Sequence, residues 1–108
     1  MTTFAKTPQP PYYAVIFSSI RRPETNGHEA MAEKMTNLAS QQPGFLGAES
    51  TRDKDGFGIT VSYWSSIEAI THWKANAEHL VAQKLGKTAW YEHYELRIAK
   101  VERSYGKV

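Results

Sequence analysis

WSSIEAITHWKANAEHLVAQKLGKTAWYEHYELRIAKVERSY, residues Trp64 to Tyr105, is the stretch that decides the fold. Trp64 ends an apolar run, and Ser65-Ser66-Ile67-Glu68 then offers the S-x-x-E pattern of a capping box. That pattern predicts a helix with Ser65 as N-cap and Glu68 reaching back to it. Ile67, Ile70 and Trp73 fall on one side of such a helix and are expected in the core. Asn76-Ala77 marks an expected break, Glu78–Leu85 a second helical piece, and Gly86 suits the position just past its end. Tyr91–Arg103 then alternates as a strand does. Tyr94, Leu96 and Ile98 share one face, and Glu95, Arg97, Ala99, Val101 and Arg103 share the other.

Upstream, Tyr12–Ile20 (YYAVIFSSI) is β-branched and aromatic, and it is apolar at nearly every position up to Phe17. A strand of that composition needs both faces covered. Asn26 to Ser40 reads as a helix, with Asn26 and Glu29 as a capping box and Met31, Met35, Leu38 and Ala39 as an apolar stripe. Pro43-Gly44 ends it. Phe45–Arg52 and Phe57–Trp64 flank Asp53-Lys54-Asp55-Gly56, a short Asp/Gly link that predicts a β-hairpin. Within Phe57–Trp64, Ile59, Val61 and Tyr63 share one face, and Thr60, Ser62 and Trp64 the other. The order β-α-β-β-α-β predicts an α+β fold: a ferredoxin-like antiparallel sheet with both helices on one face. The opposite face stays partly apolar, with Phe17 and Val101 expected on it, so a second copy is expected to pack there as a homodimer.

The 108 residues make one domain, read as 12–108, preceded by a loose arm over 1–11 that holds three of the five prolines. The chain is 41% apolar and 12% aromatic, enough for a core. A domain of this size buries only about two thirds of its unfolded surface, so association would help it. No 18-residue apolar run predicts a membrane span, and Met1–Pro11 has no apolar segment of the signal-peptide kind. With no cysteine, the sequence carries no disulfide, thiolate nucleophile or Cys-type metal site. A cytoplasmic protein is the expectation. Thirteen bases against eleven acids, spread along the chain, do not build a nucleic-acid surface. Gly56-Phe57-Gly58 superficially matches the third strand of an RNA-recognition motif. Asp55 stands where that motif needs a base, and Ile59 and Ser62 stand where it needs stacking aromatics.

Pro43-Gly44-Phe45-Leu46-Gly47, the run Thr60–Trp64 with its following S-x-E-A, and the stretch from Trp73 to Tyr105 resemble the antibiotic biosynthesis monooxygenase family. The resemblance covers Tyr12 to Tyr105. It implies a dimeric α+β barrel in which two ferredoxin-like subunits pack sheet to sheet, each keeping a pocket between its own sheet and helices. Some members of that family oxidise phenolic substrates with O₂ and no cofactor, and others degrade haem. The haem-degrading branch uses an Asn on the first strand and a Trp and a His on the second helix. Trp73 matches that Trp, but Gln83 stands at the His position and Ser18 or Ser19 near the Asn. An amide is a poor iron ligand where imidazole is a good one. The resemblance therefore implies a small monooxygenase acting without a cofactor on a hydrophobic aromatic or quinol-type ligand, with haem or flavin left open. The alternative is a dimer that binds a small ligand or serves in stress without catalysis.

Cofactor-free oxygenation of a phenol needs a proton acceptor, a cation or donors for the resulting anion, and apolar walls. His72 and His79 are the candidate bases, since imidazole titrates near neutrality. Arg97 is the candidate for the oxyanion. Tyr63, Trp64, Trp73 and Trp90 are the candidate substrate walls. Each has a plainer reading. The aromatics suit a core, Arg97 suits an ion pair with Glu95, Glu49 or Glu102, and the histidines suit a surface. The two histidines share a face only if the helix runs unbroken through Asn76. They lack the spacing of a metal motif, and no metal is expected.

Overall fold

The computed structural model describes residues 3–21, 35–85 and 91–107, without the side chains of residues 78–85, Tyr91 and Glu92. Four strands, β1 (Tyr12–Arg21), β2 (Phe45–Arg52), β3 (Phe57–Trp64) and β4 (Tyr91–Val101), form one sheet in the order β2-β3-β1-β4. All three pairings are antiparallel. Residues 35–40 are helical (α1), and α2 spans Ile67–Leu85. This is the ferredoxin-like arrangement that the element order predicts. The helix start expected at Asn26, with Met31, lies outside the described residues.

The β2–β3 link closes as a hairpin should. The Asp53 carboxylate accepts from the amides of Asp55 (2.9 Å) and Phe57 (3.0 Å), and Gly56 takes a left-handed φ of 98°. Gly44, at φ 87°, serves a different end. A β-carbon there would lie 2.6 Å from that of Ala69, so the missing side chain lets the turn after α1 press against the first turn of α2.

Two expectations for α2 are corrected. The N-cap is Ser66, whose hydroxyl accepts from the Ala69 amide at 3.1 Å, while the Ser65 amide is taken by the Gly44 carbonyl at 2.8 Å. Glu68 thus sits one position too early to close a capping box, and Ile67, at the first helical position, is 41% exposed rather than in the core. Nor does the helix break at Asn76, whose side-chain amide donates to the His72 carbonyl and to Gln42 Oε1.

Opposed residues of an antiparallel pair share a face, so the registers sort the sheet into two sides. Tyr13, Val15, Phe17 and Ser19 of β1 stand with Trp64, Ser62, Thr60 and Gly58 of β3, and with Lys100, Ile98, Leu96 and Tyr94 of β4. Val15 and Trp64 of this set pack with Ala39 of α1 and Ile70 of α2, so this side faces the helices. Phe17 therefore belongs to the helix side and not to the opposite face where the apolar pattern had put it. The open side carries Tyr12, Ala14, Ile16, Ser18 and Ile20, with Tyr63, Val61, Ile59 and Phe57, and with Val101, Ala99, Arg97, Glu95 and His93.

Residues 3–11 join no strand. They nonetheless touch the open side, through the Ala5 amide to Glu49 Oε2 (2.9 Å) and Thr7 Oγ1 to the Tyr12 hydroxyl (2.9 Å). No helix among the described residues is long and apolar enough to cross a membrane.

Candidate functional site

The helix side of the sheet is divided. At one end, α2 and α1 close over Trp64, which is fully buried. Its ring meets Phe45 edge-on at 5.3 Å and stacks on Trp73 at 6.1 Å, and its Nε1–H donates to Ser62 Oγ at 2.9 Å. Towards β4 the residues of this side are exposed. Tyr94, Leu96 and Ile98 are 60%, 40% and 49% exposed although they stand on the helix side. An apolar strip that faces helices yet stays open is a natural ligand wall. Phe17 extends it, its ring 5.6 Å from that of Tyr94.

Further along, the strip turns polar. Ser50 and Thr60 share a hydroxyl hydrogen bond of 2.8 Å across β2 and β3. In the next row Arg52, Gly58, Ser19 and Tyr94 stand side by side across all four strands. A β-carbon on Gly58 would fall within 2.6–2.9 Å of the guanidinium atoms of Arg52, so the glycine leaves the space the fork lies in. Arg52 crosses β3 there, donating through Nη2 to Ser19 Oγ (2.8 Å) and through Nη1 to the Ser19 carbonyl (3.3 Å) and the Gly56 carbonyl. Ser19 is 1% exposed, and this bond satisfies its buried hydroxyl.

The open side holds a second feature. A shallow depression of about 220 Å³ is lined by Ser18, Ser19, Ile20, Phe57, His93, Glu95 and Arg97. His93 Nε2 lies 3.0 Å from Glu95 Oε2, both side chains well exposed, so the pair adds little stability. Elsewhere on this side Tyr63 donates to Glu49 Oε1 at 2.8 Å and meets Tyr12 edge-on at 5.8 Å. Burial first, and then the hydrogen bond to the Glu49 carboxylate, push its hydroxyl pKa from 10.0 up to about 12.

The residues singled out from the sequence therefore fall in different places. Trp64 and Trp73 stand together on the helix side. Tyr63 and Arg97 lie on the opposite side of the sheet from them. Glu95, an expected partner of Arg97, pairs with His93, and Glu49 with Tyr63 and Ala5. His72 is exposed on α2, and the unbroken helix sets position 79 two turns further along the same line. The His79 side chain and the whole of Trp90 lie outside the described residues. Among the described residues no group of three or more His, Cys, Asp or Glu could hold a metal ion.

Sequence reasoning missed Arg52, Ser19 and Gly58. Their signal was available: position 52 faces 58 across a hairpin whose turn the sequence locates, and a glycine there is a gap over which a long side chain can lie. Haem fits these residues poorly. Position 83 carries an amide, and the Ser19 hydroxyl, near the place of the iron-site asparagine, is taken by Arg52.

Comparison with known proteins gives the frame for this geometry. The family model described as antibiotic biosynthesis monooxygenase matches residues 11–85. The uncharacterized protein YqjZ of Bacillus subtilis is 54% identical over 103 residues, covering 95% of this chain and 90% of YqjZ. The jasmonate monooxygenase ABM of Pyricularia oryzae is 26% identical over 104 residues, which are 94% of this chain but 42% of that protein. Among solved structures, SnoaB, a cofactor-independent oxygenase from Streptomyces nogalater, superposes with a TM-score of 0.72 at 12% identity, covering 91% of this chain and 100% of that one.

Proposed function

Because the chain belongs to the antibiotic biosynthesis monooxygenase family, we propose that it is a small monooxygenase that oxidises a hydrophobic aromatic or quinol-type substrate with O₂ and without a resident cofactor. The observation that carries the reading is the strip of Phe17, Tyr94, Leu96 and Ile98. It is apolar, lies on the helix side, is exposed along β4, and runs from the buried Trp64 to a polar end. A fused or substituted phenol would lie along it, with Trp73 at the closed end.

The chemistry asks for one proton acceptor and for stabilisation of an anion. His72 is the described histidine nearest in sequence to Trp73, and His79 follows on the same helical line. These two histidines are the proposed proton acceptors. The anion then gives an electron to O₂, and the two radicals recombine at the ring's activated carbon. Where that carbon is a methylene, loss of water leaves a carbonyl. One oxygen atom of O₂ stays in the product and the other departs with both hydrogens, so no external reductant enters the balance.

A homodimer is part of the proposal. The open side holds Ile16, Ile59, Val61, Ala99 and Val101, an apolar surface that a second sheet would cover.

The test is oxygen uptake with product mass spectrometry on a panel of hydroquinones, anthrols and naphthols, using metal-stripped protein and heavy-isotope O₂. Uptake above the buffer rate, with one labelled oxygen in the product, supports the reading. A second reading has an observation of its own. Trp64 is wholly buried and hydrogen-bonded within the chain, as a core residue would be. On that reading the same strip holds a ligand without turning it over, and the panel would bind without consuming O₂.

A further inference from the structure

β4 stands at the end of the strand order, and among the described residues it pairs with β1 alone. Its backbone is regular. One register with β1 holds from Val101 to His93, the strand contains neither proline nor glycine, and residues 93–100 are all exposed. The other edge strand, β2, is interrupted by a register shift between Phe45 and Gly47. A long, regular edge accepts a further strand unless its side chains oppose the pairing. The charges of β4 do the reverse for one occupant, a second copy of the same strand.

We propose that β4 pairs antiparallel with β4 of a second copy about a two-fold axis at Leu96, joining the two sheets edge to edge. An axis normal to the sheet keeps helix side beside helix side. Each residue must then oppose one of its own face, so the axis falls at a residue position and not between two. With the axis at Leu96, Glu95 opposes the partner's Arg97 on the open side, and Arg97 opposes the partner's Glu95. On the helix side Lys100 opposes position 92, a glutamate in the sequence. Tyr94 meets the partner's Ile98, Leu96 the partner's Leu96, and His93 the partner's Ala99. No like charges meet. Moving the axis one residue either way sets Glu95 or Arg97 against itself, and like charges directly opposite destabilise a strand pair. The Glu95 carboxylate already holds His93 within its own chain, but a carboxylate accepts from more than one donor. This contact is separate from the sheet-face contact and needs no catalysis. A chain that uses both forms a tetramer above the micromolar range. The exposed wall of Tyr94, Leu96 and Ile98 then runs on across the edge into the same three positions of the second copy, which makes the ligand surface a shared one.

The chain has no cysteine, so one introduced thiol reports the register. Directly opposed residues have α-carbons about 4.5–5.5 Å apart, within reach of a disulfide. Leu96→Cys should give a disulfide-linked dimer on mild oxidation of concentrated protein. Ile98→Cys should not, because its two copies would stand about 13 Å apart along the strands. Charge reversal reads the same contact by sedimentation. The wild-type chain should double its mass between the micromolar and the millimolar range. Glu95→Arg and Arg97→Glu should each weaken that step about tenfold or more, since each sets like charges against each other twice across the axis. An equimolar mixture of the two variants should restore it, because positions 95 and 97 are then opposite in sign across every mixed pair. Val61→Glu, aimed at the sheet face, should leave the doubling intact. Both reversed positions are exposed, and circular dichroism shows that each variant keeps its fold. Ile98→Cys linking as readily as Leu96→Cys overturns the register. The pairing itself is overturned by the absence of a link in Leu96→Cys, by a wild-type mass that does not double, or by a mixture that associates no better than either variant alone. Loss of the doubling in Val61→Glu assigns the association to the sheet face instead.

Discussion

At the residue scale the molecule shows how one missing side chain directs another. Arg52 reaches Ser19 only because position 58 has no β-carbon. Gly58 is buried and its φ is not in the left-handed region, so its role is space and not backbone freedom. Ser19→Val should therefore be costly out of proportion to its size. It strands the Nη2 donor and places a branched methyl where the fork lies, so a loss of about 1–3 kcal/mol is expected in urea unfolding, against little for the exposed Ser50→Ala. Tyr63 gives a second prediction. Its folded pKa is raised, so the folded state holds a proton that the unfolded chain releases. Its contribution to stability is full below pH 10.0, the unfolded value, and is lost as pH climbs through about 12. Ultraviolet titration should show one tyrosine ionising near pH 12, and Glu49→Gln should bring it down by removing the carboxylate that opposes the phenolate, though not all the way, since burial is the larger cause.

At the element scale, α2 is where sequence and structure part. The S-x-x-E pattern pointed to Ser65, yet Ser66 caps the helix, because Ser65's amide is already spent on Gly44 and the Gly44–Ala69 approach fixes where the first turn begins. Ser66→Ala should cost about 1 kcal/mol in chemical unfolding and Ser65→Ala much less, a pairing that the sequence pattern alone would reverse. A local motif names a helix start to within a residue, and a tertiary contact chooses which one. The strands were more legible. Alternation within β3 and β4 sorted Tyr63 from Trp64 and Arg97 from Leu96 correctly, since period-two placement survives any packing. What alternation could not give was which sorted face meets the helices in a strand apolar on both sides. That is how Phe17 came to be expected on the wrong face, and why candidates from both sides of the sheet were gathered into one site. Trp64 shows the energetic weight of the helix side. Trp64→Ala empties the centre of the aromatic group with Phe45 and Trp73, and should cost about 3–5 kcal/mol, with far-ultraviolet signal lost cooperatively at lower urea.

At the scale of the whole molecule, the two sides of the sheet pose separate problems. One sheet covered by two helices is two layers, and such a chain leaves the far face of the sheet to water. In this chain that face is not built for water. Ile16, Val61 and Ile59 lie in its middle with Ala99 and Val101 beside them, while Ile20 (37% exposed) and Phe57 (46%) wall the depression that Arg97 borders. The segment before β1 covers only part of it, through Glu49 and Tyr12 near the start of that strand. A second copy related by a two-fold axis would bury the rest, since an isologous contact places one apolar patch against itself. The polar residues then fall into place as a rim, His93, Glu95 and Arg97 bordering the patch and not crossing it. Val61→Glu puts a carboxylate in the middle of that patch without touching the helix side. The wild-type chain is expected to sediment as a dimer at micromolar concentration and Val61→Glu as a folded monomer with its helical circular dichroism kept. A wild-type monomer at that concentration would remove the dimer from the proposed function, while a dimer untouched by Val61→Glu would move the interface off this face of the sheet.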